Sequence, residues 1–431
     1  MNVAAAMRGA EETGASLVAC HDCGLVHSLP RLQPSGAVIC TRCGAVLRRY
    51  RPGGISRALA LNLAALFLFG VANALPLMTM KLAGQEQAAT LIEGVLGLYR
   101  KGMWELAGLV LFVAILFPLV RILGSLWVLW HLRAGRANRT LAPVLRVVEE
   151  LRPWAMTEVY LLGLIVAWVK LRDLATIDLG LALAAFVIFI LIMIWAASAL
   201  DAQEVWDRIA PQARARRGET MTEGSVLACH ACNQLVRAGR NHERGYCPRC
   251  RSSLHERKPD SLARVTALVI AATILYIPAN LYPVMKVVSL GRGEPDTIIS
   301  GVKALIQLGM YPVALLVFFA SITVPVLKLI GLTYLLITVR RRSNRRRRDR
   351  TVLYRMIESV GRWSMVDIFM ISILVALVNL GEIATIEPGF GAVAFASVVI
   401  LTMIASKAFD PRLIWDTGEQ FHDHAAGANR A

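Results

Sequence analysis

Charge is scarce in this chain of 431 residues, and acid is scarcer than base. Asp, Glu, Lys and Arg make up 18% of the sequence against 56% apolar residues, and the mean hydropathy is +0.54. A soluble domain of this length needs less apolar residue than that to fill its core. Cysteine is absent outside two short clusters, which excludes a disulfide framework spread along the chain. Residues 1–57 hold cysteines and polar residues, with no short apolar run before a cleavage site, so no signal peptide is read there. No GxxxxGK[ST] run occurs, which removes ATP hydrolysis by a P-loop of this chain. No pair of histidines falls inside an apolar run. His131 stands at the edge of one and the others lie in the flanks, which counts against a membrane redox protein built around haem.

What is present is apolar sequence in lengths that suit a bilayer. Eight segments stand out, at about 58–78, 104–130, 154–172, 181–200, 262–285, 311–339, 363–383 and 391–408. The net charge is +17, which on a soluble protein would suggest nucleic acid. Its distribution gives another reason. Of the 47 Lys and Arg residues, 35 fall in 1–57, 131–153, 201–261, 340–362 and 409–431, and only 8 in 79–103, 170–180, 286–303 and 384–390. By the positive-inside rule the first set is cytosolic, so both termini are inside and no nucleic-acid partner is expected. The run Arg340 to Arg350 reads as a topology signal, or as a contact for anionic headgroups.

The chain is also an internal duplication. Asn73, Pro76, Met78, Thr90, Gly94, Pro118, Arg121 and Gly124 recur 207 residues later as Asn280, Pro283, Met285, Thr297, Gly301, Pro325, Lys328 and Gly331. Trp154, Met156, Glu158, Asp178, Asp201 and Trp206 recur 209 residues later as Trp363, Met365, Asp367, Glu387, Asp410 and Trp415. Two constant offsets imply two copies of one unit. With four spans each, both copies enter the membrane in the same sense, as parallel repeats, and both cysteine clusters fall on one side.

Those clusters are Cys20-x2-Cys23 with Cys40-x2-Cys43, and Cys229-x2-Cys232 with Cys247-x2-Cys250. Two CxxC turns give four soft ligands, which is the donor set of a structural zinc ribbon. Iron is the other four-thiolate metal. Gly24 and Gly44 suit tight turns beside the ion. Four sulfurs close the coordination shell, so the sites are structural, and His21 and His230 are bystanders.

Several polar residues fall inside or beside the apolar segments. Arg121 and Lys328 sit about nine residues from the near end of their spans, roughly 14 Å deep. Glu158 and Asp367 stand four residues into the next span from the same side, so the expected pairs are Arg121–Glu158 and Lys328–Asp367. Such charges lock helices together or serve transport. Asp178 and Glu387, with Glu158 and Asp367, would be the carboxylates of a proton path. Asn73 and Asn280 precede Pro76 and Pro283 by three residues, near the far end of the first span of each half. They shape a helix end, or they mark a break lining a cavity on the outer side.

Paired ribbons, duplicated spans and the Asn-x-x-Pro-x-Met segments at Asn73–Met78 and Asn280–Met285 resemble the paraquat-inducible protein A family over about residues 17–417. The resemblance implies a protein of the bacterial inner membrane. It also implies lipid traffic between inner and outer membranes beside a periplasmic MCE-domain partner. The expected architecture is an all-α polytopic membrane protein made of two tandem four-helix units, each behind a small cytosolic zinc ribbon. The parts are 1–57 (ribbon and flank), 58–200 (first unit), 201–261 (second ribbon and linker), 262–408 (second unit) and 409–431 (tail). Two structural Zn2+ ions, phospholipid and the MCE protein are the expected cofactors and partners. The expected role is transport, not enzymatic catalysis. A non-transporting scaffold for the MCE partner is the other reading, ahead of a membrane redox protein.

Overall fold

The computed structural model describes residues 16–29, 36–49, 54–82, 85–171, 176–210, 226–237, 245–289, 292–307, 309–378 and 384–416. The expected N-terminal flank before residue 16, the tail beyond 416 and the far end of the seventh apolar segment lie outside them. The described chain is predominantly helical, and seven of its helices are long and apolar enough to cross a membrane.

The helices of the first half are α1 (Gly54–Ala74), α2 (Leu91–Arg100), α3 (Trp104–Arg133), α4 (Leu141–Leu151), α5 (Thr157–Leu171), α6 (Leu181–Ala199) and α7 (Ala202–Ile209), of which α1, α3 and α6 are long and apolar enough to cross. The second half repeats the series. It has α8 (Ser261–Leu281), α9 (Ile298–Gln307), α10 (Tyr311–Arg340), α11 (Arg347–Val360), α12 (Val366–Leu377) and α13 (Phe390–Ala408), then a 3₁₀ turn at Pro411–Ile414. α3 and α10 both widen into a π-helical turn, at Leu111–Leu116 and Phe319–Thr323. Pro118 and Pro325 explain the position. A proline lacks the N–H that would bond the carbonyl four residues back, and a wide turn relieves the clash.

The third span of the first half departs from the sequence reading. α5 has 15 residues, about 23 Å at 1.5 Å per residue, short of a hydrocarbon core of about 30 Å. α12 has 12 residues but continues from α11 through a 3₁₀ turn at Gly361–Met365, and the joined helix Arg347–Leu377 is one of the seven long enough to cross. α5 and α12 each follow an amphipathic helix, α4 or α11, whose apolar stripe packs on the bundle. The two short helices pack on each other in the middle of the molecule. Every residue of α12 is buried. Tyr160 and Phe369 meet there with ring centroids 5.3 Å apart. Gly163 allows the close crossing, since a Cβ on it would stand 2.9 Å from the Phe369 Cβ and 3.1 Å from the Met370 backbone nitrogen. One apolar core, holding Leu98, Val110, Phe186, Phe369, Phe395 and Val398, runs through both halves.

The structure is not all-α. The ribbons contribute hairpins β1 (Ser16–Ala19) with β2 (Val26–Leu29), β3 (Ala37–Ile39) with β4 (Val46–Arg49), and β8 (Val226–Ala228) with β9 (Leu235–Arg237). At the opposite end of the bundle lie two three-stranded antiparallel sheets. β5 (Met78–Leu82) is flanked by β6 (Gln85–Ala89) and β7 (Thr176–Leu179), and β10 (Met285–Ser289) by β11 (Arg292–Asp296) and β12 (Ala384–Pro388). β5 alternates as a strand should, with Met78 and Met80 buried and Lys81 turned out.

These sheets decide between the two readings of the Asn-x-x-Pro segments and place the outer carboxylates. Pro76 and Pro283 fall just past the ends of α1 and α8, where the chain turns into β5 and β10, so neither interrupts a span. Asn73 and Asn280 each donate a side-chain N–H to the carbonyl four residues back, Phe69 and Tyr276, at 2.8 Å. They finish helix ends. Asp178 and Glu387 stand on the sheets and are exposed. Asp178 accepts from the Lys81 Nζ at 3.1 Å, and Glu387 lies opposite Lys286 in the β10–β12 register. Neither belongs to a buried carboxylate path.

The crossing of α5 and α12 yields the first prediction. Gly163→Leu is expected to destabilise the folded protein by about 1–3 kcal/mol through overpacking. Gly70→Ala, where an added Cβ meets nothing within 4 Å, is expected to be neutral or mildly stabilising. Thermal unfolding in detergent reads both.

Candidate metal centres and the buried charges

Each ribbon is two knuckles facing each other. In every knuckle the residue after the second cysteine sends its backbone N–H back to the carbonyl of the first, from Gly24, Gly44, Asn233 and Arg251, each at 2.9 Å. All four adopt positive φ, between 54° and 74°. Glycine takes this conformation freely and asparagine with little strain, whereas arginine bears the steric cost of its Cβ. The first ribbon thus uses glycine twice and the second ribbon makes the same turns with Asn233 and Arg251.

The turns bring all eight thiols inward, and every one is buried. Within each group of four the sulfurs lie within 4.8 Å of one another. The Cys20–Cys43, Cys23–Cys40, Cys229–Cys250 and Cys232–Cys247 separations are 3.4, 3.5, 3.5 and 3.6 Å. A disulfide is far shorter, about 2.05 Å. A tetrahedron with metal–sulfur bonds of about 2.3 Å has edges of about 3.8 Å, close to what is found. Burial pushes the Cys43 thiol up to about 12, so a thiolate there needs a cation beside it. Four buried thiolates need a cation among them, so the donor set, the spacing and the burial fit a metal ion in both groups.

The surroundings of the sulfurs add residues that the spacing of cysteines did not reveal. His27 Nε2 lies 3.2 Å from Cys40 Sγ, and Ser252 Oγ stands 3.1 and 3.0 Å from Cys229 and Cys250 Sγ. The Arg355 guanidinium, on α11, donates to Asp22 at 2.6 Å and reaches Cys43 Sγ at 3.3 Å. It ties the first ribbon to the second half of the chain. A shared pattern fixes both ribbons to helices. The second knuckle of each carries C-x-R-C, and its arginine lies over the tryptophan that follows a helical bundle. Arg42 stands 4.3 Å from the Trp415 ring and Arg249 5.9 Å from the Trp206 ring. Arg249 also donates to Asp207 at 2.8 Å and to the Trp206 carbonyl at 3.2 Å. The first ribbon therefore lies on the end of the second half and the second ribbon on the end of the first, while Arg48 of the first ribbon also donates to Asp201 at 3.4 Å and to Asp207 at 3.5 Å. The recurrence of C-x-R-C with Trp-Asp was the signal in the sequence.

The buried charges are paired differently from expectation. Glu158 accepts from Arg362, across the two halves, at 3.2 Å, and not from Arg121. Lys328 is buried and donates to Thr402 at 2.8 Å, and not to Asp367. Asp367 is buried with neither oxygen in a hydrogen bond, and Ser321 is beside it. The cation facing it is Lys170, across a small cleft that Asp296 and Gly301 also line. The offset that pairs the repeats in sequence failed here. Arg121 and Glu158 have two arginines, Arg152 and Arg362, as neighbours, and the packing of α5 on the second half delivers Arg362 to Glu158.

The sequence model of the family described as paraquat-inducible protein A matches residues 55–210 and again 262–419. The chain belongs to that family. It is 34% identical over 403 residues to the Escherichia coli K12 protein named intermembrane transport protein PqiA, covering 93% of this chain and 95% of that protein. It is also 34% identical over 400 residues to the lipophilic envelope-spanning tunnel protein A of the same organism, covering 93% and 91%. The probable intermembrane transport protein of Haemophilus influenzae is 29% identical over 404 residues, covering 93% and 95%. No solved structure matches the chain. Family and apolar helices together make this paraquat-inducible protein A member a multi-pass membrane protein.

Two measurements follow from the site. Protein purified without chelator is expected to hold two metal ions per chain, falling to one in Cys247→Ser, by elemental analysis. Arg251→Gly is expected to stabilise the second ribbon and Gly44→Ala to destabilise the first, each by about 1 kcal/mol, read by metal release on titration with a chelator. A double-mutant cycle separates the charge pairs. Glu158→Ala is expected to couple to Arg362→Ala by about 0.2–1 kcal/mol, and more weakly to Arg121→Ala.

Proposed function

We propose that this chain is the inner-membrane component of a system that moves lipid between the inner and outer membranes, acting with a periplasmic MCE-domain partner. The observation that carries the reading is the likeness to intermembrane transport proteins along 93% of the chain, with more than nine-tenths of each relative covered. The architecture is compatible with it. The sheet end consists of strands of four or five residues, about 17 Å at most, so a separate protein must carry cargo across the periplasm. Non-enzymatic transport suits a chain whose tetrahedral thiol sites are closed.

In this reading the protein is two tandem four-helix units in parallel orientation, with α5 and α12 as their third helices. The ribbons, the termini and the arginine-rich stretch around Arg345 are cytosolic, and the sheets face the periplasm. The two ions are Zn2+ and structural: they fold the ribbons, which clamp the halves through Arg42–Trp415 and Arg249–Trp206. The division at 57, 200, 261 and 408 follows from the same repeat.

The test uses photoreactive residues at Asn73, Met78, Asn280 and Met285, beside the sheets. Phospholipid is expected to crosslink there and an MCE-domain protein to copurify. Deleting the gene is expected to weaken the outer-membrane barrier. Partner binding without lipid at any of the four positions would instead support a scaffold. Reporter tags near residues 87 and 293 are expected to read periplasm, and one near 345 cytosol.

A further inference from the structure

The two halves differ most beside Arg121. A cleft of about 710 Å³, including its open mouth, lies between α1, α3, α4, α6 and α7 on the ribbon side. Asn62, Arg121, Ser125, Glu149 and Arg152 supply its polar wall, and Leu129 and Met193 are part of the apolar one. Arg121 sits roughly 14 Å along α3 from Trp130, at the depth of a bilayer leaflet rather than at the surface. Among the described residues it makes no ion pair and no hydrogen bond, although a cation at this depth needs an anion or water. Its charged neighbours are Arg152, Glu149, Glu158 and Arg362. The two carboxylates already have partners: Glu149 faces Arg152 at 3.9 Å and Glu158 faces Arg362 at 3.2 Å. The cluster is left with one uncompensated positive charge, on Arg121, beside the cleft.

The second half shows what the same position looks like without a cleft. Its equivalents of Asn62, Ser125, Arg152 and Met193 are Val269, Leu332, Gly361 and Thr402. Lys328 replaces Arg121, donates to Thr402 at 2.8 Å, and lies so close to Gly361 that an added Cβ would stand 3.0 Å from Nζ. There the ammonium is capped by a hydroxyl and closed off by the protein. In the first half it is an arginine, which offers a planar fork of donors suited to two oxygens at once, and it opens onto space.

We propose that this cleft binds a phosphate group, as the headgroup phosphodiester of a membrane phospholipid, with the Arg121 guanidinium as its anchor. A phosphodiester carries one negative charge, which neutralises the cluster. Its glycerol and acyl portions fit walls such as Leu129 and Met193. Free phosphate shares the anion chemistry but has nothing to place on those walls. The site deepens the lipid-transport reading, since it holds lipid in the leaflet on the ribbon side, away from the sheets. Binding is measurable without transport, so its failure leaves the transport reading standing.

The experiment is native mass spectrometry of the full chain in detergent with added phosphatidylglycerol, or with inorganic phosphate alone. Wild type is expected to retain one phosphatidylglycerol, and millimolar inorganic phosphate is expected neither to bind nor to displace it. Arg121→Gln is expected to lower the bound fraction at least tenfold, and Arg121→Lys to keep part of it. A second variant guards against misfolding. Asn62→Val, Ser125→Leu and Arg152→Gly together install residues that the second half already accommodates, and are expected to lose the lipid with metal content and thermal midpoint unchanged. Retention of lipid at the wild-type level in folded Arg121→Gln and in the triple variant overturns the proposal. Displacement of the lipid by inorganic phosphate overturns the lipid assignment in favour of a free anion.

Discussion

The packing of α5 against α12 constrains the rest of the structure. α5, with 15 residues, ends before it has crossed a bilayer, and the backbone beyond it still needs hydrogen-bond partners where lipid offers none. Burying α5 and α12 against each other keeps both away from lipid, and the chain that leaves them runs into β7 and β12. Those strands are completed by β5 and β10, which begin where α1 and α8 stop. Gly180 and Gly389, between the strands and the last helix of each half, admit the carbonyls of Pro76 and Pro283 so closely that an added Cβ would stand 2.1 and 2.2 Å from them. The Asn-x-x-Pro segments are therefore the corners at which a helix hands over to a sheet.

At the other end the same repeat is used to bind the halves together. Each ribbon is too small to hold a core of its own, so its order comes from a metal-sized ring of thiols and from the surface it lies on. Arg42 and Arg249 place a guanidinium over Trp415 and Trp206 of the opposite half, and Arg355 reaches a cysteine sulfur of the first ribbon. Cation–ring contacts contribute about 0.5–2 kcal/mol each, little alone. Repeated at two sites they help to orient the two ribbons on the helices.

Duplication has left the halves alike in outline and unlike where charge is buried. Arg121 and Lys328 occupy one position in the repeat, yet one opens onto a cleft and the other is absorbed by Thr402. Asp367 faces Lys170 across a second, smaller cleft, while its counterpart Glu158 is bridged by Arg362. Divergence of a few neighbours, Gly361 for Arg152 and Thr402 for Met193, is enough to change which cation stays available.

The cysteine spacing, the apolar lengths and the two constant offsets were legible in the sequence because each is a local or periodic property. Four soft ligands two by two, runs that exceed what a soluble core needs, and residues repeated at fixed separation carry their meaning without a partner from elsewhere. The family followed from their order along the chain. Strands of four or five residues beside a proline have no such period, so the two outer sheets are not legible in the sequence, and Pro76 and Pro283 read equally as helix ends or as breaks lining a cavity. Helix packing decided the remaining points. Which cation meets Glu158 or Asp367, which half each ribbon lies on, and whether Arg121 faces protein or open space all depend on contacts between residues more than a hundred positions apart. Periodicity cannot specify them, because a repeat predicts equivalent neighbours and the second half supplied different ones.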